Sequence, residues 1–174
     1  MLIKTEDLTS KNIINFYAPE PLTAEGVALL FFEGDTLEND LLREIFDMQG
    51  VKSCFISENL FSIRYLESAD KENIKAIVLA CLDDYISGNK FFSKIEDKAD
   101  LLAKCEALAD ALIRPTLNRD KGDISLLSLQ NDVLEVQFIG HCAGCPYAQN
   151  TLQNIIIRTF KRHLPQIKEI KLKE

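Results

Sequence analysis

The run Phe138-Ile139-Gly140-His141-Cys142-Ala143-Gly144-Cys145-Pro146 constrains this chain more than any other stretch. Two cysteines stand three positions apart. The segment before them alternates like a strand, and the segment after them has helical spacing. The backbone must leave a strand, turn tightly and enter a helix within a few residues. Pro146 suits the first helical position, where its missing N–H is not needed. Unpaired backbone N–H groups and the positive end of the helix dipole favour an anion at such an entrance. A thiolate is an anion, so this setting lowers the cost of ionising a cysteine. Gly140 and Gly144 allow close backbone approach, and Ala143 keeps it uncrowded.

Two thiolates at this spacing bind a metal centre or exchange a disulfide. The pair alone leaves three readings open: a metal or cluster ligand pair, a structural zinc site, and a dithiol redox site. A closed metal site usually takes four ligands, so one chain supplies half of it. A second copy or a partner would complete the set. Haem attachment requires His after the second cysteine; here Pro146 follows it and His141 precedes the pair. A dithiol oxidoreductase fold needs more strands than the 29 residues after Cys145 comfortably supply. His141 reads as a surface histidine beside the pair, and His163 as a charge complementing a helix end. Cys54, Cys81 and Cys105 fall on inward faces and read as small core residues. Arg114, Asp120 and Asp123 read as residues that pin the turn near the cysteines by local hydrogen bonding. The chain holds no Walker loop, no G-x-G-x-x-G and no G-x-S-x-G elbow, so an enzyme is not expected.

The formal charge of −7 disfavours nonspecific nucleic-acid binding. No apolar run is long enough for a membrane span, and the first residues do not read as a secretory signal. Five cysteines without such a signal point to a reducing compartment: the bacterial cytoplasm, or the mitochondrial matrix for a processed organellar protein. The charge is uneven. Residues 1–94 hold 16 acidic and 9 basic side chains, whereas residues 95–174 hold 11 of each. Two small domains are expected, 1–90 and 91–174, with the linker over residues 87–93. The acidic first domain could meet a basic partner surface or simply confer solubility.

The fold class expected is α+β. The first domain mixes strands over residues 1–5, 13–16, 51–56 and 60–66 with helices over 40–48 and 70–87. In the second, helical spacing over 98–113 ends at Arg114-Pro115, because the residue before Pro avoids the helical region. Strands follow over 124–129 and 133–139, joined by a hairpin at Gln130-Asn131-Asp132. A helix over 147–163 and a strand over 167–172 complete an α-β-β-α-β order, with the helices packed on a small sheet. Leu152, Ile155, Ile156, Phe160 and Leu164 form the apolar side of the last helix. One of Ile155, Ile156 and Ile157 must face outward.

Several spaced motifs occur together: Leu112-Ile113-Arg114-Pro115, Asp120-Lys121-Gly122-Asp123-Ile124, the cysteine run from Gly140 to Pro146, Thr151-Leu152 and Leu164-Pro165. From about residue 95 onward they resemble the NifU C-terminal (Nfu-type) domain. The opening Met1-Leu2-Ile3-Lys4-Thr5-Glu6 and the stretch from Ile45 to Val51 resemble the Nfu N-terminal domain. The resemblance implies a non-enzymatic iron–sulfur scaffold or carrier. It implies that Cys142 and Cys145 of two subunits hold one [4Fe–4S] cluster in a homodimer. The expected partners are apo iron–sulfur clients and cluster-donor assembly proteins, with the first domain recognising partners. Lys121 stands where the family usually has a second glycine, and His141 where it has a small residue.

Overall fold

In the computed structural model, residues 2–92, 99–144 and 146–173 are described. The chain divides into two compact units, Met1–Ala99 and Asp100–Glu174.

The first unit is a five-stranded antiparallel sheet in the order β1-β2-β5-β4-β3. Its strands are β1 (Lys4–Leu8), β2 (Ile13–Tyr17), β3 (Ala28–Phe32), β4 (Val51–Ser57) and β5 (Leu60–Tyr65). Alternate residues of these strands, among them Ile14, Phe16, Leu29, Phe31, Ile56 and Ile63, share one face. That face packs against α1 (Asp40–Asp47) and α2 (Lys71–Ser87) through Leu42, Ile45, Ile74, Val78 and Leu82. Each helix has a side-chain N-cap: Asn39 accepts from the Leu42 N–H at 3.1 Å, and Asp70 from the Asn73 N–H at 3.0 Å. After α2 the chain docks. Phe92 is buried, stacks on Tyr85 at 4.4 Å and donates its N–H to the Leu22 carbonyl at 2.9 Å.

Three features of this unit depart from expectation. The first strand begins at Lys4 and runs to Leu8, three residues later than expected at each end. Strand β3 carries an unbroken apolar run, Ala-Leu-Leu-Phe-Phe, whose first four residues are all buried, so no alternation marks it. Cys81 is only half-buried, on the wall of a cleft of about 690 Å³ between α1 and α2 that Glu44 also lines.

The second unit begins with α3 (Leu101–Leu108), capped by Asp100, which accepts from the Ala103 N–H at 2.8 Å. The chain does not stop at Arg114-Pro115. It passes through a π-helical turn (Ala109–Ile113) into α4 (Arg114–Asn118). A proline inside an α-helix clashes with the carbonyl four residues back. The wider π-turn moves that carbonyl out of register, and the Arg114 N–H reaches back to Ala109 O. Leu102 is exposed rather than inward, and Lys104 is buried instead.

Strands β6 (Gly122–Gln130) and β7 (Val133–Gly140) pair antiparallel, and β8 (Glu169–Lys173) pairs parallel to β7. Asn131 and Asp132 turn the hairpin with φ of 51° and 64°, the mirror-image turn that matches strand twist. Between β7 and β8 runs α5 (Pro146–His163), which supplies the crossover that a parallel pair requires. Ile124, Leu134, Val136 and Phe138 form the buried sheet face. Leu108, Ile113, Leu117, Ile156 and Phe160 are among the buried residues of the helical layer. On α5, Ile155 is the isoleucine that faces outward, at 44% exposure, which removes it from the expected apolar side.

Candidate functional site

The site grows from the end of β7. Gly140 has φ of 68°, and a Cβ there would meet the Lys121 carbonyl oxygen at 2.6 Å. Only glycine satisfies both conditions without strain. Its ladder partner is Gly122, the first residue of β6. Lys121, just before it, also has a left-handed φ, 56°, on a residue with a side chain. The Lys121 carbonyl accepts the His141 N–H at 3.3 Å. The turn after α4 is thereby tied to the start of the cysteine loop.

That loop is one 3-10 turn, His141–Gly144, leading into α5, whose first residue is Pro146. His141 and Ala143 are exposed, while Cys142 between them is only 4% exposed. Its sulfur lies beside Gly122: a Cβ built on that glycine would sit 2.0 Å from Cys142 Sγ. Cys145 lies outside the described residues. Ala143 also borders a cleft of about 840 Å³, lined by Phe138, Asn150, Gln153 and Leu172 among others. The cysteine turn therefore meets open space on one side.

Arg114 fixes the same end of β6. Its guanidinium donates to Glu106 Oε2 at 2.8 Å and Asp110 Oδ1 at 2.9 Å, and reaches the Ile124 carbonyl at 3.3–3.4 Å. Asp123 Oδ1 faces its Nε at 3.4 Å. This side chain is 11% exposed, so its charge is largely withdrawn from water, and three carboxylates around it compensate. The expected pinning role thus falls to Arg114 and Asp123. Asp120 contributes only a backbone bond, its N–H to Leu117 O at 3.0 Å. Glu106 and Asp110 escape the sequence reading, although Asp110 and Arg114 stand at the i, i+4 spacing that marks helical ion pairs.

The remaining cysteines differ from the pair. Cys54 and Cys105 are fully buried. Burial pushes the Cys54 thiol well above its ordinary value. It pushes Cys105 up to about 12, with Glu106 and Asp100 adding to the effect. Burial, then Glu44, raises Cys81 to about 11. All three are poor thiolates near neutral pH. His163, expected to complement a helix dipole, is buried at the end of α5. Among the described residues, no three His, Cys, Asp or Glu side chains come together in a way that could hold a metal ion.

Two family models match this chain. One, described as NifU-like domain, covers residues 106–171. The other, described as Scaffold protein Nfu/NifU N terminal, covers residues 3–89. A Drosophila persimilis protein named NFU1 iron-sulfur cluster scaffold homolog, mitochondrial, is 25% identical over 98% of this chain and 64% of its own length. The Drosophila ananassae protein of the same name is 24% identical over 98% and 63%. The chain thus spans slightly less than two thirds of these relatives. Among solved structures, the crystal structure of protein SAV1430 from Staphylococcus aureus aligns with 47% of this chain and 99% of its own, at 19% identity and a TM-score of 0.40.

Two outcomes follow from this geometry. Arg114→Met strands Glu106, Asp110 and Asp123 without a counter-charge, and should lower the stability of the second unit by about 2–3 kcal/mol in urea unfolding. A change within experimental error would show that the ion cluster does not pin β6. For Cys105, the folded chain keeps the thiol proton up to about 12 while the unfolded chain loses it from 9.0. Between those values the folded state binds more protons, so stability falls as pH rises. Cys105→Ala should flatten that alkaline loss, and parallel curves for parent and variant would contradict the assignment.

Proposed function

The chain belongs to the Nfu/NifU family of iron–sulfur cluster scaffolds, and on that premise we propose that it carries a [4Fe–4S] cluster between two copies of itself and delivers it to apo-proteins. The cluster is cargo, and Cys142 and Cys145 of each copy are its ligands. The observation that carries this reading is the contrast among the cysteines. Cys142, although only 4% exposed, sits in a turn at a helix entrance between exposed His141 and Ala143, with Cys145 three positions on in the sequence. Cys54 and Cys105 are sealed in cores, and burial holds Cys81 largely protonated. One chain then offers two competent thiolates, and a four-thiolate set requires two chains. A two-fold axis through the cluster places the same pair on each side.

The donor chemistry suits the cargo. Thiolates are the usual ligands of iron–sulfur clusters, and small residues in the turn would let backbone N–H groups approach the cluster's sulfides. Transfer is ligand exchange: an acceptor thiolate forms an iron–sulfur bond as a carrier thiolate leaves, and no oxidation state need change. The open space beside Ala143 gives an acceptor somewhere to approach. Only the cargo's bonds to its carrier are exchanged and the cargo leaves unchanged, so the chain acts as a carrier and not as an enzyme. Apo iron–sulfur clients and cluster-donor assembly proteins are the partners, and the first unit, residues 1–90 in this reading, recognises them. The curated relatives bear the word mitochondrial in their names; in this reading the chain works in a reducing compartment, the bacterial cytoplasm or the mitochondrial matrix.

Anoxic reconstitution with ferrous salt and sulfide should give a broad visible absorption. Cys142→Ser or Cys145→Ser should abolish it and Cys105→Ser should leave it intact; a coloured Cys142→Ser variant would overturn the ligand assignment. Removing residues 1–90 should spare cluster binding and slow delivery to an apo-client. Unchanged delivery would remove the recognition role from the first unit.

A further inference from the structure

Two glycines meet beside the cysteine turn, and they serve different ends. Gly140 is required by its backbone, with φ of 68° and the Lys121 carbonyl oxygen close to where a Cβ would stand. Gly122 is not among the residues with positive φ, so its backbone conformation is open to any residue. Its need is for space. A Cβ at Gly122 would meet Cys142 three times over, at 2.0 Å from Sγ, 3.1 Å from Cβ and 3.4 Å from the backbone nitrogen. No real Cβ comes that near a sulfur. The Cys142 thiol fills the hollow that the absent side chain leaves, which is why it is 4% exposed while His141 and Ala143 on either side are exposed.

A ligand that bridges two molecules must present its sulfur at the surface between them. Cys142 points its sulfur the other way, into its own sheet edge. Side chains move among staggered wells by rotation about χ1, which needs no backbone change. We propose that Gly122 is a positioning residue for Cys142: it provides a socket in which the thiol is parked, withdrawn from solvent, until cluster loading draws it out. The Gly122–Gly140 ladder pair and the Lys121 carbonyl bond to His141 N–H hold the socket against the turn. The purpose rests on the reading of Cys142 as a cluster ligand, but the socket is a property of the metal-free chain and is tested without iron.

The experiment is alkylation of the full-length, reduced, metal-free Cys145→Ser chain with iodoacetamide, read site by site by peptide mass spectrometry. Reactivity of a thiol that must leave its socket scales with the fraction of time it spends outside. Cys142 should react at least about tenfold more slowly in buffer than in urea, and Gly122→Ala should raise its rate in buffer by about tenfold, since the methyl group evicts the sulfur. Cys105, fully buried in the same unit, reports on the fold. A faster Cys142 with Cys105 still protected supports the socket. An unchanged or slower Cys142 in Gly122→Ala overturns it. If Cys105 also opens in that variant, the parent decides: Cys142 equally reactive in buffer and in urea overturns the proposal, and protection supports it. Failure of cluster reconstitution with the protection intact would count against the carrier reading alone.

Discussion

The second unit depends on how closely two backbone segments approach at one corner of a three-stranded sheet. The start of β6 and the end of β7 meet at Gly122 and Gly140, and the cysteine turn leaves directly from that meeting point. Larger residues would force the strands apart or push the sulfur away. The corner is held from behind by Arg114, which joins the helix side chains Glu106 and Asp110 to the β6 residues Asp123 and Ile124. A buried guanidinium is a poor source of net stability but a good locator, because its planar fork meets several acceptors only in a fixed geometry. The π-turn that interrupts the first helix lies immediately before Arg114. It admits Pro115 and lets the helix continue through the residue that does the locating.

Function follows from an imbalance in this arrangement. Cys142 lies in a turn between exposed His141 and Ala143, whereas Cys54 and Cys105 are sealed in cores and Cys81 is held protonated; in the proposed reading Cys142 and Cys145 are half of a ligand set. In the proposed carrier, completion by a second copy would require no further residues and would make the cluster itself the main link between the two. A link of that kind is exchangeable, which suits a carrier better than a resident cofactor site. The first unit has a different character, an acidic sheet-and-helix body with its own core. In a carrier of this kind its proposed role is recognition.

Much of this is legible in the residues. Alternation marks β6 and β7, and 3.6-residue spacing marks α1 and α2, because each of those elements has one wetter and one drier face; β4 and β5 are legible from polar residues interspersed in their runs although most of their residues are buried. Strand β3 is not legible, since Ala28 to Phe31 are all buried and a uniform run carries no period. The helix through Pro115 escapes because a π-turn, a feature without a sequence signature, overrides the local rule about proline. At the site, the cysteine spacing and the flanking glycines are plain. The contact of Gly122 with Cys142 is not, because it joins residues on different elements and depends on strand register. Lys121 shows the same limit: only the fold reveals that a residue with a side chain occupies a left-handed position there.

Whether two chains share one cluster is decided by native mass spectrometry of anoxically reconstituted protein, which counts subunits, iron and sulfide in a single species. A shared cluster predicts a dimer carrying about four iron and four sulfide, which separates into metal-free monomers when iron is chelated. Iron held by a monomer, or a dimer containing zinc and no sulfide, would contradict it.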